Sequence, residues 1–183
     1  MATWTVCIVA TAPDFWRIAT RHQVIAMTTA VPPYVLISCT DFARPALLAE
    51  ELSGALGTTA IGIAAQTGAD TYQLRAFTAG TVVRELDYDR DGGGWTTVTG
   101  TPQAWEAAFF FDALNRPDDP DEAARFDAAR LAGDPSPILR LVAPSSLAPL
   151  RALCASLQID PDVPSGRYER PSRWAKLFVR RPR

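Results

Sequence analysis

Three runs of alternating apolar and polar residues follow one another between Thr71 and Thr99 with only turns between them. Thr71–Phe77 and Thr81–Asp87 flank the short turn Thr78-Ala79-Gly80, and an acidic, glycine-rich loop from Asp87 to Gly94 leads into Trp95–Thr99. A period of two sets one face of a strand against a core and the other in water, so these runs read as half-buried strands. Strands joined this closely leave no room for the helices that a parallel, doubly wound sheet requires, and the pairing is expected to be antiparallel.

The remaining segments fit around that sheet. Thr3–Ala10 is β-branched and apolar, as a strand buried on both faces would be. Gln23–Val31 and Tyr34–Cys39 read as strands on either side of Pro32-Pro33, and Thr59–Ala65 as another. Phe15–His22 reads as a short helix. Arg44–Leu56 carries a stripe of Leu47, Leu48, Leu52 and Ala55, with Thr40 or Asp41 as N-cap and Gly57 as C-terminal cap. Thr101-Pro102 has the form of a helix start, and Trp105, Ala108, Phe109 and Ala113 recur at helical steps beyond it. Glu122–Leu131 and a segment capped by Ser145 or Ser146 and running through Leu157 complete the helices. Ile138–Val142 is either a last strand or a packed loop.

The fold class these elements predict is α+β, with residues 1–164 as a single domain. Its sheet is largely antiparallel, and its helices pack mainly on one face, which Arg44–Leu56 and Pro102–Ala113 are expected to share. A chain of 183 residues with 48% hydrophobic and 21% charged residues suits one globular core. The uncharged runs Gln23–Thr40 and Leu52–Ala69 are broken by prolines and glycines, unlike membrane spans. No basic residue precedes the apolar start of the chain, so that stretch reads as a strand and the protein as cytoplasmic. Cys7, Cys39 and Cys154 are scattered among apolar neighbours, the pattern of buried free thiols in a reducing compartment. Lys176 is the only lysine among eighteen basic residues, a bias that points to a GC-rich bacterial genome. Residues 165–183 hold seven basic residues and one acidic one, although the whole chain carries −2. The body is acidic and the tail basic.

Few of these residues suggest chemistry. Asp87, Asp89, Asp91 and Gly92 match the first half of a calcium-binding EF-hand loop, but Val98 stands where its glutamate belongs and the flanks are strands. A solvated hairpin loop is the simpler reading. A cysteine nucleophile at Cys39 would need His22, the only histidine, as its base. Glu85, Asp87, Glu106 and Asp112 are candidate acids and bases, with surface solvation as the plain alternative. No phosphate-binding glycine loop or paired zinc ligands occur, so neither cofactor nor metal is expected. The densest aromatic group is Phe77, Trp95, Trp105 and Phe109–Phe111, which suits a helix lying on a hairpin; exposure of Trp95 or Phe110 would make it a docking patch.

The function expected is a non-enzymatic protein-binding module of a bacterial cytoplasm, of inhibitor, immunity or adaptor type. Asp87, Asp89, Asp91, Trp95, Trp105 and Phe110 would face another, basic protein. The alternative is a small enzyme with a carboxylate or Cys39 in a cleft beside residues 71–111. Nucleic acid would be met only through the basic tail, and no membrane partner is expected.

Overall fold

The structure, a computed structural model, describes residues 3–10, 26–27, 34–39, 41–66, 68–111, 113–138, 148–157 and 159. The expected helix Phe15–His22, the caps Thr40, Ser145 and Ser146, and the basic tail lie outside them.

Among the described residues, seven strands form one antiparallel sheet: β1 (Thr3–Ala10), β2 (Ala26–Met27), β3 (Tyr34–Ser38), β4 (Thr59–Gln66), β5 (Thr71–Thr78), β6 (Thr81–Asp89) and β7 (Gly94–Gly100). Their order is β2-β3-β1-β4-β5-β6-β7. β1 therefore lies between β3 and β4, which explains why it is buried on both faces. The helix α1 (Arg44–Leu56) carries the chain over β1 from β3 to β4. From β4 onward each strand pairs with the next, as tight turns demand.

α1 spans the residues that the leucine stripe and its caps predict. Asp41 Oδ1 accepts from the N–H groups of Ala43 (3.1 Å) and Arg44 (2.8 Å), while Gly57 ends the helix in the left-handed region at φ 63°. Its inward residues Leu48, Ala49 and Leu52 pack on Cys7, Val9, Val35, Ile37, Ala60 and Phe77. Two close approaches fix its height above the sheet. A Cβ on Gly62 of β4 would stand 2.5 Å from the Pro45 carbonyl oxygen, and one on Gly80 would stand 3.2 Å from Gly54 Cα. Buried Ser53 joins the second contact by accepting from the Gly80 N–H at 3.0 Å.

On the opposite face, α2 (Glu106–Phe110), α3 (Pro120–Ala132) and α4 (Ala148–Ser156) contribute Phe110, Phe126, Ala129, Leu153 and Cys154 to a core with Trp4, Val6, Ile8, Tyr72, Leu74 and Leu86. The α+β class and its antiparallel sheet are as expected, and three of these four helices share a face. Arg44–Leu56 and the helix after Pro102 do not, because β1 is apolar on both sides and needs a cover on each. The second helix is also shorter than Thr101-Pro102 suggests. The Thr101 N–H bonds to the Val83 carbonyl (2.9 Å) and prolongs the sheet, so helix begins only at Glu106. Ser136–Ile138 is a single 3₁₀ turn that ends in buried Ile138, and residues 139–142 lie outside the described set.

The β5–β6 hairpin carries the most consequential irregularity. Ala79 (φ 49°) and Gly80 (φ 80°) make a two-residue, mirror-image turn whose twist matches the strands. Phe77 then pairs with Val82, but Ala76 pairs with Arg84, so Val83 is an extra, bulged residue. An unbulged count from the turn would set Arg75 opposite Arg84. The bulge instead sets Arg75 opposite Glu85 and turns Arg84 to the other face. Like-charge opposition is replaced by two separate ion-pair clusters.

Candidate functional site

On the face shared with α2, Arg84 is closed in. Its Nε donates to Glu106 Oε1 (2.9 Å) and its Nη2 to Oε2 (2.7 Å), while Nη1 reaches the carbonyl oxygens of Gly100 (3.0 Å) and Thr99 (3.4 Å). Arg84 and Glu106 are only 4% and 1% exposed. Glu106 also accepts from the Gln103 N–H, which satisfies a donor ahead of the helix. Around this pair the rings fill the space between sheet and helix: Trp95 lies 5.3 Å from both Tyr88 and Phe110, centroid to centroid. Glu106, a candidate acid or base with surface solvation as its plain alternative, is instead buried and paired. The missed signal is that Arg84 shares its face with Leu86 and Tyr88, and an inward arginine demands a buried partner.

On the α1 face, the second cluster is open. Arg75 gives Nη1 and Nη2 to Asp87 (2.6 and 2.7 Å) and Nε to Glu85 (2.9 Å). The hydrogen bonds to Asp87 are the largest influence on the guanidinium and raise its pKa above the ordinary range. Glu85 leans on toward the sheet edge, where its Oε2 accepts from Thr99 Oγ1 at 3.2 Å. α1 packs mainly on β1, β4 and β5 and touches β6 only at its near side, and among the described residues no other helix lies on the β6–β7 part of this face. A groove of about 520 Å³ runs between the flank of α1 and β6. Arg75 and Phe77 contribute to its lining, together with Ala46, Leu47, Glu50, Val82 and Glu85. Leu47 and Val82 are 52% and 47% exposed there, two of the four large apolar side chains that stand out from the described surface.

The six residues expected to meet a partner do not form one patch. Phe110 is wholly buried, Trp105 is buried, and Trp95 is half-buried against the core. Asp87 turns to Arg75 instead of converging with its neighbours, and Asp89 Oδ1 accepts from the Asp91 N–H (3.1 Å), holding the β6–β7 turn. Asp91 is exposed beside it. No group of acidic, cysteine or histidine side chains suited to a metal ion occurs among the described residues. The loop has the geometry of a hairpin. Leu47 and Ala55, expected to face inward with the leucine stripe, stand exposed instead, and the meeting of Leu47 with Arg75 and Val82 depends on the bulge and on where α1 lies.

The cysteines are all buried and free. Burial pushes the Cys39 thiol up to about 12, with nearby Arg44 opposing and Asp41 adding to the rise, and burial alone takes Cys154 to about 12. Cys7 is raised in the same way. At neutral pH such thiols carry almost no thiolate, the reactive form. His22 and Asp112 lie outside the described residues. Among the described residues, no helix is long and apolar enough to cross a membrane. No protein-family model matches the chain, and no curated protein or solved structure shows significant similarity to it.

Proposed function

We propose that the chain is a protein-binding module that recognises a basic partner through the open face beside α1. The carrying observation is the groove itself, where exposed Leu47 and Val82 stand next to Glu50, Glu85 and the guanidinium of Arg75, which Glu85 and, from outside the lining, Asp87 already engage. Apolar anchors within a charged rim are the composition of a docking surface: the anchors contribute buried area, and the net negative rim speeds the encounter with a cationic partner. The docking patch thus moves from the aromatic rings, which fill the core, to the far side of the same hairpin. An inhibitor, immunity or adaptor protein of a bacterial cytoplasm would use such a face.

The test is capture from a native lysate by the full chain and by a Leu47→Asp, Val82→Asp double variant. A basic protein held by the first at low salt, released at high salt and lost by the second is the expected result. Retention unchanged by the double variant would refute this reading.

A further inference from the structure

The walls of the groove beside α1 owe their composition to the Val83 bulge. Val82 and Glu85 are three residues apart, a separation that sends the side chains of a regular strand to opposite faces. With Val83 extra, Val82 pairs with Phe77 and Glu85 with Arg75, and both line the α1 face. α1 supplies the facing wall. Its Pro45 approaches Gly62, the cross-strand neighbour of Arg75, and its Gly54 approaches Gly80, so the helix runs along β5 from the Arg75 end of the groove to the turn. Ala46, Leu47 and Glu50 are the residues it presents there.

The charges in this space are not equivalent. A guanidinium in a groove would ordinarily invite an anion, but all three Arg75 nitrogens are engaged, Nε by Glu85 and both Nη atoms by Asp87. The Glu85 oxygens are likewise taken, one by Arg75 and one by Thr99 Oγ1. Glu50 is exposed, and its carboxylate has no ion pair or hydrogen bond among the described residues. An unmatched negative charge therefore stands beside the apolar pair Leu47 and Val82. That combination suits a side chain with an aliphatic stem and a cationic head.

We infer that the groove takes an arginine or lysine side chain of the partner, its stem between Leu47 and Val82 over Phe77 and its head on Glu50, while Glu85 and Asp87 serve to neutralise Arg75. Without their bonds Arg75 would repel the incoming cation. This inference rests on the basic-partner reading above and names the residue that would select the partner.

The probe is a blocked pentapeptide, Gly-Ser-Arg-Ser-Gly, titrated into the isotopically labelled full chain and followed by amide chemical shifts. Shifts centred on residues 46–50 and 80–85 are expected. In place of the arginine, citrulline keeps the stem without the charge and 2,4-diaminobutyrate keeps a charge on a short stem; each should weaken binding about tenfold. Glu50→Gln should weaken the arginine peptide to a similar degree and leave the citrulline peptide unchanged. Glu51→Gln makes the same change in net charge one residue away, beside Arg44, and should have little effect. Equal losses from the two variants, or no loss from Glu50→Gln while Leu47→Asp with Val82→Asp abolishes binding, would overturn the role of Glu50 and leave the basic-partner reading standing. Absence of shifts with both arginine and lysine peptides would overturn the inference as a whole, and the lysate capture would then decide the broader reading independently.

Discussion

β5 and β6 carry the same chemical unit, an arginine forked onto a carboxylate, on each of their two faces, and the two units have opposite fates. Arg84 and Glu106 are sealed between sheet and α2, with backbone carbonyls taking the remaining guanidinium nitrogen. Arg75 and Asp87 are each 19% exposed, and Arg75 lines a groove. One pair fastens a helix; the other lies on a polar sheet face that α1 covers only in part among the described residues. Ion-pair geometry therefore does not identify a working surface here. What differs is the cover, and cover depends on which residues the Val83 bulge sends to which side.

Breaking the sealed pair should have the largest effect. Glu106→Ala strands the Arg84 charge away from water and should cost about 3–5 kcal/mol, read as a fall in the urea midpoint. Replacing both partners, by Arg84→Met with Glu106→Leu, should recover most of that loss, because no uncompensated charge remains. If the single variant cost no more than the double, the closure of this face would be misdescribed.

Next in size is the support of α1. Gly62→Ala would drive a methyl group into the Pro45 carbonyl, and overpacking of this kind costs about 1–3 kcal/mol. The same shift should lift α1 and deform the groove at Leu47 and Glu50, whereas the Arg84 side, packed by other helices, should keep its stability contribution. Thermal unfolding of Gly62→Ala alone and combined with Glu106→Ala checks this: additive losses mean that the faces are independent.

The thiols sharpen the comparison, since Cys39 lies under α1 and Cys154 under the opposite cover. Both are held near 12 against an ordinary 9.0. A raised folded pKa means that the native state keeps a proton that the unfolded state releases. The stability is thus complete below about pH 9 and falls as pH rises from there through 12, by up to about 1.4 kcal/mol per pH unit for each thiol. Cys39→Ala and Cys154→Ala should each flatten the alkaline limb of a stability–pH curve, and similar flattening by both would show equal sealing of the two faces around these positions.

How much of this the sequence discloses depends on whether a signal is local. α1 is legible because Pro45, the leucine stripe and Gly57 all act within thirteen residues. The β5–β6 hairpin is legible from alternation and from the Ala79-Gly80 turn. The helix start at Pro102 misleads, because the Thr101 N–H is claimed by Val83, a residue eighteen positions away. The ion clusters escape notice for a related reason. Counted without a bulge, the register pairs Arg75 with Arg84, and nothing local in Thr81–Asp87 marks Val83 as the extra residue. The aromatic run was visible but not its direction, which depends on α2 crossing to the face away from α1.

The smallest expected effect tests the open side most directly. Asp87→Asn leaves Arg75 its second partner, Glu85, and access to water from the groove, so the guanidinium is not stranded. Half-open pairs of this kind contribute about 1 kcal/mol or less, and salt reduces that further. The urea midpoint should fall slightly at low ionic strength and hardly at all at high. Glu106→Ala, by contrast, should keep most of its loss in salt, because ions do not penetrate the sealed interface. A loss from Asp87→Asn as large and as salt-resistant as that from Glu106→Ala would mean that Arg75 is as deeply enclosed as Arg84, and the face proposed to meet a partner would then belong to the core.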